Sequence, residues 1–292
     1  MMKSLPQFQS SKPLKEVSTF GIGGPARLFV EVTSVEELQA VLEFCGTDSL
    51  PFFILGKGSN ILFHDQGFDG LVIHNKISYL TIQGCEVDVG AGFSFAMLGF
   101  KTAKQGLAGL EFASGIPASV GGAVYMNAGA GGYETKDCLT EVSFVDTQGN
   151  LHNLSKEELE FSYRYSSFHE KKGAIVSAKF RLKSCEEARK KQLSIVEYRT
   201  KTQPYGEFSA GCVFKNPKNA SAGALIEQAG LKGFCVGDAE VSAKHANFIV
   251  NRKEARAEDV LFLAKQIQER VKEQTGVELE MEVRCIPYQI PK

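Results

Sequence analysis

Gly115-Ile116-Pro117-Ala118-Ser119-Val120-Gly121-Gly122-Ala123-Val124-Tyr125-Met126-Asn127-Ala128-Gly129-Ala130 decides how this chain is read, because it strings small residues where a backbone must lie against something large. Eight glycines fall between Gly106 and Gly132. A residue without Cβ reaches positive φ at no steric cost and lets a neighbour approach its main-chain N–H closely. The occupant this pattern suggests is a phosphate-bearing cofactor.

Working outward, Pro51-Phe52-Phe53-Ile54-Leu55 reads as a buried strand that runs into Gly56-Lys57-Gly58-Ser59-Asn60, followed by a second short strand at Ile61-Leu62-Phe63. A dinucleotide fingerprint needs a third glycine at position 61 and a helix starting there; Ile61 and an apolar run stand there instead, which argues against a Rossmann site. The nucleoside-triphosphate loop also fails, for want of Gly-Lys-Ser/Thr after a four-residue spacer. Two readings stay open: a backbone nest that turns successive N–H groups onto an anion, with Ser59 and Asn60 as side-chain donors, or an ordinary Gly-Ser-Asn turn.

A length of 292 residues points to two or three lobes and a cleft between lobes as the site. The formal net charge of -1 argues against general attraction to nucleic acid or anionic membrane. No apolar run approaches the roughly 20 residues of a membrane span and the start lacks a signal-peptide core, so a cytoplasmic protein without membrane or nucleic-acid partners is expected. Seven widely spaced cysteines without a Cys-x-x-Cys pair indicate neither a disulfide frame nor a metal site.

Ser34 with Glu37 forms a capping box, and Val35, Leu38, Val41, Leu42 and Cys45 line one helical face that Gly46 is expected to end. Residues 1–75 thus read as a β-α-β lobe. From 76 to 184 strand patterns dominate, among them 87–89, 141–146 and 173–182, giving an antiparallel lobe that carries the opening glycine stretch. A charged helix from Glu186 to about Lys201 begins a third lobe, 185–292, with helices at 221–229 and 257–275, the latter buried through Val260, Leu263, Ala264, Ile267 and Val271 and closed by Gly276. Val277 to Cys285 alternates strictly and reads as a strand with Glu278, Glu280, Glu282 and Arg284 on one face.

Three places carry candidate chemistry. A glutamate of the 277–285 face is either solvated or, if turned into a cleft, desolvated into an acid near neutral pH. In Phe161-Ser162-Tyr163-Arg164-Tyr165-Ser166-Ser167-Phe168, after a helix opened by a Ser155/Glu158 box, Arg164 is either packed over Tyr163 or Tyr165 or is a fixed positive charge facing an oxyanion. In Ser209-Ala210-Gly211-Cys212-Val213-Phe214-Lys215-Asn216-Pro217, Cys212 is either a buried hydrophobe or a neutral thiol that gives a proton to a carbanion, since at an ordinary pKa of ~8.5 it is mostly protonated at pH 7.

Taken together, Thr19 to Ala26, Gly56 to Leu62, Gly115 to Ala130, Tyr163 to Ser166, Gly211 to Pro217, His245 to Asn251 and Leu279 to Val283 resemble the MurB family of UDP-N-acetylenolpyruvoylglucosamine reductases, in its more compact form and nearly end to end. The resemblance implies an α+β protein: a two-lobe FAD-binding module of the vanillyl-alcohol-oxidase-like, PCMH type, plus a C-terminal α/β domain that binds a UDP-sugar. It implies FAD and NADPH as cofactors, no metal, and FAD contacts from Gly56, Lys57, Gly58, Ser59, Asn60, Ile61, Gly115, Ile116, Pro117, Gly121, Gly122, Asn127, Gly129, Ala130 and Arg199. Tyr163, Asn216 and His245 fall at substrate positions. In the family's reaction NADPH reduces FAD, hydride passes from flavin N5 to C3 of the enolpyruvyl group, and C2 is protonated. Arg164, Glu282 and Cys212 match the catalytic positions, with cysteine where the commoner residue is serine. A related flavin oxidase or dehydrogenase, or a flavin-binding or sugar-nucleotide-binding protein without turnover, are the alternatives.

Overall fold

A computed structural model describes residues 5–289. The chain forms two units: one of residues 5–9, 29–57 and 71–199, and one of 10–28, 58–70 and 200–289. The three-lobe division expected at 75 and 184 is a different partition. Segments 10–28 and 58–70 sit in the second unit, and the charged helix, Ala188–Thr202, runs in the first as far as Arg199. Its composition marks a solvated face; Ala188 and Gln192, both buried, attach it to the first unit.

In the first unit, Ser34 caps the Val35–Thr47 helix by accepting from the Glu37 amide at 3.2 Å. Gly46 does not stop this helix. It lies inside, where a Cβ would meet the carbonyl of Thr147 at 2.7 Å, so glycine is required by close approach to the 146–150 turn. Phe52–Leu55 pairs in parallel with Leu71 to His74. The antiparallel sheet expected between 76 and 184 is present, in the order Leu151–Ser155, Leu139–Asp146, Gly173–Arg181, Glu86–Gly90, Leu80–Gln83. Its alternating apolar residues, Val87, Val89, Val142, Phe144 and Phe180, bury against the Phe95–Lys104 helix, the 3-10 turn Glu111–Gly115 and the short Val120–Tyr125 helix. The glycine stretch therefore lies on a packed apolar core. The box at Ser155 opens only a 3-10 turn, Lys156–Glu158, because the chain must enter a hairpin at Phe161.

The second unit centres on an antiparallel sheet ordered Phe208–Cys212, Phe248–Asn251, Ala239–Val241, Cys235–Val236. The Ala257–Thr275 helix covers it with the expected stripe and ends at Gly276 in the left-handed region, φ 74°. Each Leu, Ile or Val of that stripe contributes on the order of 1.5–3 kcal/mol. The strand expected over 277–285 is a correction: only Arg284–Ile286 is strand, in parallel register with Ile61–Phe63. Leu279 and Val283 are buried as the alternation requires, but the backbone from 280 to 284 is shared among separate partners. Glu280 O accepts from Lys215 N, Glu282 N donates to Val213 O and Arg284 N donates to Asn60 O. Alternation recorded burial, and ladder pairing failed for want of one continuous neighbour.

Candidate active site

The opening stretch first serves its own chain. A Cβ at Gly115 would lie 2.2 Å from Arg199 Cδ, one at Gly56 2.3 Å from Ser119 Oγ, one at Gly129 2.4 Å from Tyr133 O and one at Gly121 3.0 Å from the Ala91 Cβ. The expectation that these glycines clear space for a ligand is corrected to this extent: the missing side chains make room for protein atoms. Gly121, Gly122, Gly129, Ala130 and Ile116 keep partial surface, and Pro117 is exposed. Gly131 and Gly132, at φ 62° and 84°, meet nothing within 4 Å. Beside Gly115 the Ser114 hydroxyl is buried with no hydrogen-bond partner among the described residues. An orphan hydroxyl next to a wall of exposed backbone is what a polar cofactor would satisfy. Lys57, also expected there, donates to Ser94 Oγ at 2.9 Å; burial, then the neighbouring charge of Lys76, holds its pKa below the ordinary lysine value.

Arg164 occupies a strained position. Phe161–Ser162 and Tyr165–Ser166 form a hairpin whose two-residue turn is Tyr163-Arg164, and Arg164 has φ 58°. A left-handed arginine costs on the order of 1–2 kcal/mol and survives only where its surroundings fix it. Three hydrogen bonds to the glycine stretch do so: Ser166 Oγ to Tyr125 O at 2.7 Å, Asn127 Nδ2 to Ser162 O at 3.0 Å and Arg164 Nη2 to Gly129 O at 3.4 Å. The guanidinium lies 4.7 Å from the Tyr163 ring centre, so the packing alternative is realised, and the half-buried group still keeps surface. Asn127, expected among the cofactor-lining residues, is 0 % exposed; its Oδ1 accepts from Lys136 N while its Nδ2 donates to Ser162 O. Its side chain anchors the hairpin.

In the second unit a bulge with Gly211 at φ 76° breaks the pairing between Ser209 and Cys212 and re-aims residue 212. Cys212 is half-buried opposite Phe248. The adjoining Val213 carbonyl accepts the Glu282 amide at 2.7 Å, and the Glu282 carbonyl accepts Asn60 Nδ2 at 3.3 Å. Val213, which follows Cys212, is thus linked through Glu282 to the Asn60 side chain. Asn60, read as an anion donor, spends a side-chain N–H on this link. Of the three glutamates of the 277–285 segment, Glu282 joins this network, whereas Glu278 pairs with Lys272 and Glu280 with Lys215, both exposed. Asn216 Oδ1 caps the Ala222–Gln228 helix through Ala222 N at 3.0 Å. His245 Nδ1 accepts from Asn247 N at 3.3 Å, which places its ring proton on Nε2, and the ring rests edge-on against Phe248 at 4.9 Å.

Sequence reasoning missed Ser114, Ser119 and Asn247. The signal for the last was present: a lone amide between Ala246 and Phe248 in an otherwise apolar run is a buried polar group that must find partners. A groove of about 490 Å³ lined by Pro13, Lys15, residues 21–25, Asp65 and 253–255 contains none of the expected residues. Among the described residues no cluster of three or more His, Cys, Asp or Glu is arranged to hold a metal ion, and no helix is long and apolar enough to cross a membrane.

Residues 26–155 match the family described as "FAD binding domain", and 203–286 match "UDP-N-acetylenolpyruvoylglucosamine reductase, C-terminal domain". The curated UDP-N-acetylenolpyruvoylglucosamine reductase of Protochlamydia amoebophila is 57% identical over 99% of this chain and 97% of its own length. That of Chlamydia muridarum is 50% identical over 96% and 95%. The crystal structure of the reductase from Thermus caldophilus superposes with a TM-score of 0.82 at 39% identity, covering 96% of this chain and 98% of its own.

Proposed function

The chain belongs to the UDP-N-acetylenolpyruvoylglucosamine reductase (MurB) family, and from that membership we propose that it is an NADPH- and FAD-dependent oxidoreductase. Its substrate is the enolpyruvyl ether of UDP-N-acetylglucosamine and its product UDP-N-acetylmuramate, a precursor of peptidoglycan. The reaction belongs in the cytoplasm, where the nucleotide-sugar precursors and NADPH are found. The observation that supports this reading is the link from Val213 O to Glu282 N, which holds the main chain next to Cys212 against that of Glu282.

When bound, FAD would supply the hydride chemistry that links NADPH to the enolpyruvyl group. The residues that fit the cofactor are those with surface on the glycine stretch, the buried hydroxyl of Ser114, the 56–61 loop and Arg199. Cys212 donates its Sγ proton to C2, completing saturation of the vinyl ether, and the resulting thiolate is reprotonated from solvent. A thiol is several units more acidic than an alkyl hydroxyl, so cysteine is at least as able a proton donor here as serine. Glu282 polarises the reacting centre, and Arg164 presents its fixed charge to the carboxylate where negative charge develops. His245 Nε2–H, the Asn216 amide and Tyr163 orient the nucleotide sugar.

The test is direct. Purified protein is expected to be yellow, and to oxidise NADPH only when the enolpyruvyl nucleotide sugar is added. A colourless protein without affinity for FAD would contradict the proposal, as would NADPH oxidation indifferent to the nucleotide sugar.

A further inference from the structure

After the bulge at Gly211, Cys212 pairs with Phe248 and the strand ends, so the direction in which the chain leaves Cys212 must be fixed by other contacts. Asn247 stands at that point. It is 3 % exposed, its Oδ1 accepts from Phe214 N at 3.0 Å and its Nδ2 donates to Phe214 O at 2.8 Å. Its own backbone carbonyl accepts from Val213 N at 2.8 Å. One buried amide side chain therefore imitates a strand neighbour for Phe214, two residues beyond the end of the strand, while the main chain of the same residue holds Val213. The remaining polar atom of Val213, its carbonyl, receives Glu282 N at 2.7 Å and Val283 N at 3.4 Å. Thus the same two residues, 213 and 214, separate Cys212 from the clamp and carry Glu282.

We infer that Asn247 is a positioning residue whose bidentate hold on Phe214 sets the aim of Cys212 and the placement of Glu282, so that it governs proton delivery and not flavin reduction. The inference rests on the proposed reduction. The physical logic is that both hydrogen bonds lie in a dry core flanked by Phe214, Phe248 and Ile249, where losing one leaves a buried carbonyl or amide unsatisfied and the segment relaxes. A displacement of about 1 Å at the proton donor is enough to cost on the order of 10²-fold in rate.

Asn247→Asp tests it with nearly unchanged shape. Ionised, the new side chain still accepts from Phe214 N but offers a second acceptor to Phe214 O; protonated, it donates again. In stopped-flow measurements on the FAD-loaded protein, NADPH-driven bleaching of Asn247→Asp is expected within ~3-fold of the parent at every pH. Reoxidation by the enolpyruvyl nucleotide sugar is expected ~10²-fold slower at pH 8, recovering at least ~10-fold relative to the parent at pH 6, because burial keeps the acid protonated toward neutral pH. A second readout needs no turnover. Iodoacetamide labelling of the Cys212 peptide, followed by mass spectrometry, is expected to quicken at least ~5-fold in Asn247→Ser, with the exposed Cys235 unchanged as internal standard. Burial pushes the Cys45 thiol to about 11 and the Cys138 thiol to about 12, so both stay silent in this assay. The inference is overturned if both half-reactions fall together, if reoxidation shows no pH-dependent recovery, or if Cys212 labelling is unchanged. It is also overturned if both variants fail to fold, which would make Asn247 a folding element. A parent protein that does not reduce the enolpyruvyl sugar would instead refute the proposed reaction.

Discussion

Arg164 shows how a single backbone angle separates function from stability. Glycine adopts the left-handed region freely, so Arg164→Gly relieves strain while removing the guanidinium and its contacts to Tyr163 and Gly129. These opposed effects are each on the order of 1 kcal/mol, and the folding free energy of the variant, read from urea melts, should stay within about 1 kcal/mol of the parent. Substrate-driven reoxidation should fall at least ~10²-fold; a variant that loses stability and keeps activity would show the hairpin turn to be purely structural. His74 makes a pH-dependent case. Burial, then the charge of Lys76, holds its pKa below the ordinary histidine value, against the opposing pull of Glu31 at 3.1 Å. The unfolded chain therefore takes up a proton near pH 6.5 that the folded chain declines, so stability is full above that pH and falls as pH drops through it. The melting temperature of His74→Gln should fall less between pH 7.5 and 5.5 than that of the parent; identical slopes would rule His74 out as the cause.

At the scale of elements, the seam between the Glu111–Gly115 turn and the Ala188–Thr202 helix is set by one absent methyl. Gly115→Ala would push a Cβ into Arg199 Cδ, and flavin retention on gel filtration should drop, with FAD affinity weakened at least ~10-fold. Unchanged affinity would show that Arg199 does not serve the cofactor. In the second unit Ile267 lies fully buried under the sheet, and Ile267→Ala should cost about 2–5 kcal/mol in a denaturant melt, with under 1 kcal/mol indicating a loosely packed stripe. That helix was legible to the residue, because its 3.6-residue period, its apolar stripe and its glycine stop all agree. The antiparallel sheet was legible for the same reason. The 277–285 segment was not, since alternation reports which side chains are buried and is silent on whether one neighbour supplies a ladder. The glycine stretch was legible as a place of close approach; the sequence could not say that Arg199, Ser119, Ala91 and Tyr133 are what approaches, because those partners lie far along the chain. Of the candidate site, Cys212, Glu282 and Arg164 were proposed from motif order, whereas the burial of the Asn127 side chain and the clamp of Asn247 were not legible, because their partners at Ser162 and Phe214 lie far along the chain.

For the whole molecule, the near-neutral balance of 33 basic and 34 acidic residues leaves recognition to local groups and not to a general field. The chain threads back and forth between its two units, with 10–28 and 58–70 joining 200–289, so the unit that bears Cys212 is built from three separate stretches of sequence. The central claim is that this unit delivers a proton through Cys212 in a flavin-dependent reduction. An anaerobic half-reaction comparison of parent and Cys212→Ala tests it most directly: NADPH should bleach the flavin at similar rates in both, while reoxidation by the enolpyruvyl nucleotide sugar should slow by ~10²–10⁴-fold in the variant alone. Equal reoxidation rates, or an equal fall in both half-reactions, would contradict the claim.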